Sequence, residues 1–310
     1  MVPPYCLRSA FCERRSRFGA MLTRQPRLVK STAHISRTVL SVCEDGHMKC
    51  QALVPNARQR VKDAVTAEII AVARGQLATE GAGTLSLRAV AREMGMASSA
   101  IYRYFSSRDE LLTALIIEAY DALGEVAEAA ATVGDRGFER WQSVCRSIRA
   151  WALEHPHEYA LIYGSPVPDY QAPAQTIAPA SRVTLALAGL LLDAYRAGEL
   201  APLEASPLSR DMAAEARQLA HLAMPGVPPA IVARALVVWT QLFGQISFEL
   251  FGQLVGVVED PEVVFEFAIA TTAGLLGLHA REAQGRGRAP RQRQAALSCT
   301  RTSNEQRSPQ

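Results

Sequence analysis

A chain of 310 residues with 49% hydrophobic side chains, 20% charged side chains and a net charge of +3 holds enough apolar material for one large domain or two ordinary ones. Arg182, Asp193 and Glu249 break the apolar runs before they reach the ~18–20 residues that cross a bilayer, and the N-terminus has no apolar secretory segment. The six cysteines (Cys6, Cys12, Cys43, Cys50, Cys145 and Cys299) make no C-x-x-C pair, which argues against a disulfide framework and fits a reducing cytoplasm.

Charge is unevenly spread. Residues 1–47 hold eight basic and three acidic side chains, and residues 284–310 hold six and one. Between them, residues 48–108 carry nine basic and four acidic groups, whereas 109–283 sum to −12. A compact basic module precedes an acidic one, and only the first suits a polyanion.

In chain order, residues 1–47 have no helical or strand period and are expected to be a disordered basic extension. Met48 offers a second start, and the segment is expected to lie outside the functional protein. A flexible phosphate-binding arm and an organelle transit peptide are the alternatives. From 58 to 80, Val61, Val65, Ile69, Ala73 and Leu77 recur every fourth residue, an amphipathic helix closed by the glycines of "EGAGT". Ser86 can cap a helix that runs to Met94 and stops at Gly95, and a further helix is expected over about 98–105. Ser106 or Ser107 caps another over 109–128, with Asp109 and Glu110 in its first turn. Later helices are expected over 137–154, 156–163, 175–198, 208–223, 229–256 and 260–283, and residues 284–310 read as a disordered tail. The fold class is all-α.

The chemistry concentrates in "MASSAIYRYFSSRDELL" (96–112). Two short helices joined around Gly95 have the dimensions of a helix-turn-helix over 86–105, with Val90, Ala91 and Met94 meeting Met96, Ile101 and Phe105 in a small core. A helix in the major groove needs small or hydrogen-bonding groups outward. Ser99, Ala100 and Arg103 fit that face, Tyr102 and Tyr104 can reach phosphates through their hydroxyls, and Arg108 with the amides of its helix adds positive potential. Ser86 and Arg88 can touch the opposite backbone. Alternatively, "YRYF" belongs to an ordinary amphipathic helix with half-buried tyrosines.

The stretch "LSLRAVAREMGMASSAIYRYFSSRDELLTALI" resembles the DNA-binding module of the tetracycline-repressor (TetR-type) family over about 60–123. The resemblance implies that Tyr102, Tyr104 and Arg108 contact phosphates and that Ser98 to Arg103 read bases. Ala97 stands where that family often has a capping hydroxyl, and Arg108 replaces the commoner lysine, which keeps the charge but not the geometry. The resemblance further implies a DNA-binding domain over 58–123 and a helical effector-binding and dimerisation domain over 124–283. "WALEHPHEYALIYGSPVP" (151–168) is similar to a Trp-His-Gly signature of one C-terminal subgroup, with Trp151, His155 or His157, and Gly164 as the matching residues.

Within the acidic half, Trp141, Cys145, Ile148 and Trp151 share one helical face, and with Tyr159, Tyr163, Trp239 and Phe243 they are the expected wall of an effector pocket or an ordinary core. His155 and His157, two apart around a proline with no cysteine nearby, do not make a metal site. Two apolar stripes, with Ile246, Leu250 and Leu254 on one and Val264, Ala268 and Leu275 on the other, are expected to form a four-helix interface between two copies, with packing inside one chain as the alternative. The residues together with the resemblance lead to the expectation of a transcriptional regulator, a repressor that binds a palindromic double-stranded operator as a homodimer; its release by a small-molecule effector is what the resemblance implies. No cofactor, metal or membrane partner is expected. A constitutive DNA-binding protein and a helical enzyme are the alternatives, although no catalytic or cofactor fingerprint occurs.

Overall fold

The structure, a computed structural model, describes residues 57–202 and 207–280. The expected basic extension and the tail from 284 lie outside those residues. Among the described residues every regular element is helical. The helices are α1 (Ala57–Glu80), α2 (Leu87–Glu93), α3 (Arg108–Ala130), α4 (Gly137–Glu154), α5 (Pro156–Tyr163), α6 (Ile177–Arg196), α7 (Arg210–Ala223), α8 (Pro229–Leu250) and α9 (Pro261–Leu275).

Two hydrophobic cores share one long helix. The first packs Ile69 and Ala73 of α1, Val90 and Ala91 of α2, Ile101 and Phe105 of the segment after α2, and Leu111, Leu112, Leu115 and Ile116 of α3. The second begins three residues later on α3 with Ala119, Leu123 and Ala127, and joins them to Trp141, Ile148, Tyr159, Leu190, Ile246 and Phe265. At about 1.5 Å per residue, the 23 residues of α3 form a rod of roughly 34 Å. Its first half lies in the head and its second half in the body, so the head cannot tilt without moving this helix.

Local chemistry explains most boundaries. His155 closes α4, and Pro156 opens α5 because proline fits the first turn of a helix and cannot continue the one before it. Asp260 caps α9 by accepting from the Glu262 amide at 2.9 Å. Two expected helices end early. The 229–256 helix stops at Leu250 and the 260–283 helix at Leu275. Gly252 and Gly277 adopt positive φ there (76° and 82°), and the amides of Gln253 and Leu278 return to the carbonyls of Phe248 and Ala273, both 2.9 Å. These are Schellman closures, which glycine makes without a Cβ penalty. The expected stripe on α1 also shortens. Val65, Ile69 and Ala73 face the head core and Leu77 is buried, but Val61 is 63% exposed beyond the end of that core.

Arginines tie the body together. Arg149 holds Glu249 in a two-pronged pair at 2.7 and 2.8 Å, and Arg146 holds Glu266 at 2.7 Å through both nitrogens. Arg182 of α6 spans Asp121 and Glu128 of α3. By length and composition alone, Ala174–Arg196 and Pro229–Leu250 are apolar enough to cross a membrane, although Arg182, Asp193 and Glu249 interrupt their apolar runs. Here they pack as bundle helices, α6 along α3 and α8 against α7.

Candidate nucleic-acid interface

The head presents an exposed turn built by one tight corner. α2 has seven residues and buries Leu87, Val90 and Ala91. It stops at Gly95 (φ 65°), where the Met96 amide returns to the Ala91 carbonyl at 2.8 Å. The chain then departs from the expected helix over 98–105. Residues 98–100 form a turn and only Ile101–Arg103 are helical, as a single 3-10 turn. The amides of Ala100, Arg103 and Tyr104 bond three residues back, to Ala97, Ala100 and Ile101. Two adjacent serines and the short span disfavour a full α-helix, and the tighter turn is the usual short substitute. Ile101 and Phe105 anchor it in the head core (0% and 5% exposed).

Anchored so, the turn places Ser98, Ser99, Tyr102 and Arg103 outward, whereas Ala100 and Tyr104 are half-buried and Tyr104 packs on the head core. Arg88 is exposed on α2. Ser86 occupies the cap position of α2 but makes no side-chain cap bond, so its hydroxyl has no helix-capping duty.

The start of α3 is already closed by its own side chains. The Ser107 hydroxyl accepts the Glu110 amide at 3.1 Å, and the Glu110 carboxylate accepts the amide and hydroxyl of Ser106, each at 2.7 Å. Those Ser106 bonds hold the Glu110 carboxyl below its ordinary pKa. The amides expected to attract phosphate are thus partly engaged. Arg108, also expected on phosphate, points back into the head instead: Nη2 donates to the carbonyls of Ala82 (2.7 Å) and Gly83 (3.1 Å), and Nε to that of Leu85 (3.1 Å).

In the body, an aromatic cluster gathers four of the eight residues expected to line a pocket. Tyr163 stacks on Phe243 with centroids 4.3 Å apart, Tyr159 lies 5.2 Å from Tyr163, and Trp239 meets Phe243 edge-on at 6.0 Å. Burial pushes the Tyr159 hydroxyl up to about 12 and Tyr163 well above the usual phenol value. The Tyr159 hydroxyl donates to the Phe243 carbonyl at 3.1 Å, and the Trp239 indole nitrogen is buried without a partner. Trp141 is not in this cluster. Its indole N–H donates to the Ile269 carbonyl at 2.9 Å, and it sits with Cys145 and Ile148 in the packed core. Burial raises the Cys145 thiol far above its ordinary value, as fits an inert small hydrophobe. Trp151 packs against His155 (5.1 Å), whose Nδ1 lies 3.0 Å from Glu158, and His157 is exposed. A Cβ on Gly164 would overlap the Ala160 carbonyl, so glycine is required there.

The profile of bacterial regulatory proteins of the tetR family matches residues 69–115, and that of the tetracyclin repressor-like C-terminal domain matches residues 141–272. The transcriptional regulators Rv1816 of Mycobacterium tuberculosis and Mb1846 of Mycobacterium bovis are each 37% identical over 244 residues, spanning 74% of this chain and all of the relative. The chain belongs to the TetR family of transcriptional regulators. The crystal structure of the regulatory protein SCO4313 is similar at 36% identity and a TM-score of 0.59, covering 70% of this chain and 98% of that one. A protein of unknown function from Rhodococcus sp. RHA1 shares the fold, at 21% identity and a TM-score of 0.53, over 73% of this chain and 99% of its own.

In this TetR-family chain the expected dimer residues divide. Ile246 is fully buried inside its own chain and cannot face a partner; it belongs to the core beside Phe265. Leu250, Leu254, Val264 and Ala268 are half-buried, and Leu275 is 48% exposed. Sequence reasoning missed the outermost residues: Val237 and Phe248 on α8, and Val263 and Phe267 on α9, are 56–73% exposed. A shifted fourfold spacing (237, 241, 244, 248 and 263, 267, 271) contained this signal. The crevice between these helices, with about 200 Å³ of space that includes open solvent, is lined by Gln241, Gln245, Phe265 and Ala268 among others, not by the aromatic cluster.

Proposed function

We propose that this regulator acts in the cytoplasm as a homodimeric repressor, binds a palindromic operator, and releases it when a small apolar effector enters the body. The observation that carries the DNA-binding half is the exposure of Ser98, Ser99, Tyr102 and Arg103 on a turn rigidly anchored by Ile101 and Phe105. Small and hydrogen-bonding groups there suit base edges, while the Tyr102 and Tyr104 hydroxyls, Ser86 and Arg88 suit phosphates. The exposed apolar faces of α8 and α9 support two-fold pairing, which would set two reading turns about one DNA turn (~34 Å) or somewhat more apart.

The effector reading rests on the Tyr159, Tyr163, Trp239 and Phe243 cluster, with the buried Trp239 N–H ready for an acceptor atom. α5 supports coupling because it bridges both units. Tyr159 and Tyr163 face the body core, while Leu161 and Ile162 pack on the head core. Arg74 of α1 reaches Glu158 of α5 and Glu118 of α3, both at 2.8 Å. A ligand that parts Tyr163 from Phe243 would pull on the head through these contacts. It need only favour the released form, and about 3 kcal/mol of coupling changes affinity roughly 150-fold.

Selection from random-sequence DNA with the full chain tests this reading. A two-fold symmetric consensus is expected; a consensus without symmetry would contradict the homodimer. A screen in which no small molecule weakens binding to that consensus would favour a constitutive regulator.

A further inference from the structure

Three carbonyls from one four-residue loop converge on a single guanidinium. Arg108 opens α3, yet its Nε and Nη2 donate to Leu85, Ala82 and Gly83 on the loop that leads into α2. The third nitrogen, Nη1, lies 3.7 Å from Asp109, which offsets part of the charge. On the far side the same loop is closed onto α1: the Thr84 hydroxyl reaches back to the carbonyls of Glu80 (2.9 Å) and Gly81 (3.0 Å). Ser86 makes no cap bond at the entry of α2 and a seven-residue helix is marginal by itself, so its angle rests on the packing of Leu87, Val90 and Ala91 and on the loop that leads into it.

We propose that Arg108 is a positioning residue for DNA binding: its planar fork clamps the 82–85 loop against α3 and so sets the angle of α2 and of the reading turn. Its value lies in geometry and not in a charge delivered to phosphate. An ammonium can reach one of the three carbonyls but cannot reproduce the fork, whereas a phosphate accepts either cation. Lysine substitution therefore separates the two roles. The inference rests on the head being the DNA-reading unit.

The experiment compares the full chain with Arg108→Lys and Arg108→Ala. The probe is the duplex that the unsubstituted chain enriches from a random pool, followed by anisotropy over roughly 50 to 200 mM salt, where phosphate contacts are salt-sensitive. All proteins are held at a temperature where circular dichroism finds them fully helical. Hydrogen exchange of the 85–94 amides is read in parallel. Both variants should bind about tenfold or more weakly, to a similar degree, because each loses most of the charged bonds to the loop. The salt slope should stay unchanged, and the 85–94 amides should exchange faster while those of α4 do not.

Near-normal binding by Arg108→Lys, with Arg108→Ala weaker and its slope reduced by about 0.9 per contact, would identify a phosphate contact and overturn the proposal. Normal binding and exchange in both variants would overturn it as well. If Arg108→Ala does not fold, Arg108→Lys decides alone, since it keeps charge and stem. If the unsubstituted chain enriches no duplex, the DNA reading fails while the exchange comparison still judges the clamp.

Discussion

Phe267 is the most exposed phenylalanine on the paired faces of α8 and α9, at 73%, and it is the residue to change first. A phenylalanine buries roughly 200 Å² when fully enclosed, so covering the exposed part removes about 150 Å² from water. At about 25 cal/mol per Å² that contributes roughly 3–4 kcal/mol per copy. A two-fold interface counts every substitution twice, so Phe267→Asp should weaken dimerisation by about 6–8 kcal/mol, before the cost of two buried carboxylates. A dimer that holds at nanomolar concentration would then require tens of micromolar or more, at about 1.4 kcal/mol per tenfold. The monomer should survive, because little of the side chain contributes to its own core. Sedimentation velocity over a concentration series, with circular dichroism as the control for folding, reads both quantities. A Phe267→Asp protein that stays dimeric at nanomolar concentration would refute the assignment of this face. So would one that unfolds, since the ring would then be holding its own chain.

Other expectations follow from particular contacts. Removing Arg149 leaves Glu249, whose side chain is only 10% exposed, without its partner; Arg149→Ala should cost about 3–5 kcal/mol in urea melts, and Arg149→Met/Glu249→Leu considerably less. Equal losses in both would mean that packing, not an orphaned charge, is the cause. Gly164→Ala must displace backbone and should destabilise by about 1–3 kcal/mol, whereas Gly75→Ala on an open face of α1 should stabilise by up to about 1 kcal/mol. Opposite signs in thermal melts check the pair. The depressed Glu110 carboxyl stabilises the fold above the unfolded value of 4.5 and loses that contribution as pH falls through its folded value. Glu110→Gln should accordingly flatten the acid limb of the stability curve and leave its neutral-to-alkaline limb unchanged. An unaltered acid limb would remove Glu110 from the account.

Much of the fold was legible because it depends on neighbours in sequence. The 137–154 and 156–163 helices matched their expected limits, since Pro156 and the glycines act locally. The helix-turn-helix core was readable for the same reason: Val90, Ala91, Ile101 and Phe105 sit at short spacings, and all four are buried. What failed depends on distance. A helix apolar on wide faces, such as α8, does not announce which face its own chain covers. Ile246 therefore read as a partner contact, although it is fully buried in the body core together with residues from helices as distant as α4. For Arg108 the sequence suggested a phosphate contact, as a cation beside such a motif does locally, and gave no sign of its bonds within the head. Its carbonyl partners lie 23 to 26 residues upstream, where no spacing rule reaches. The 3-10 turn at Ile101–Arg103 was missed because helix length is decided by competition among weak local terms.

The central claim is that the turn after Gly95 touches DNA. Its most direct test is anisotropy of the full chain and of Tyr102→Ala/Tyr104→Ala on the selected duplex and on a scrambled one, across salt. The unsubstituted chain should bind selectively, and the double variant should lose affinity on both duplexes with a shallower salt slope. Unchanged affinity and slope in the double variant, with selectivity intact, would contradict the account and move the DNA contact to another surface.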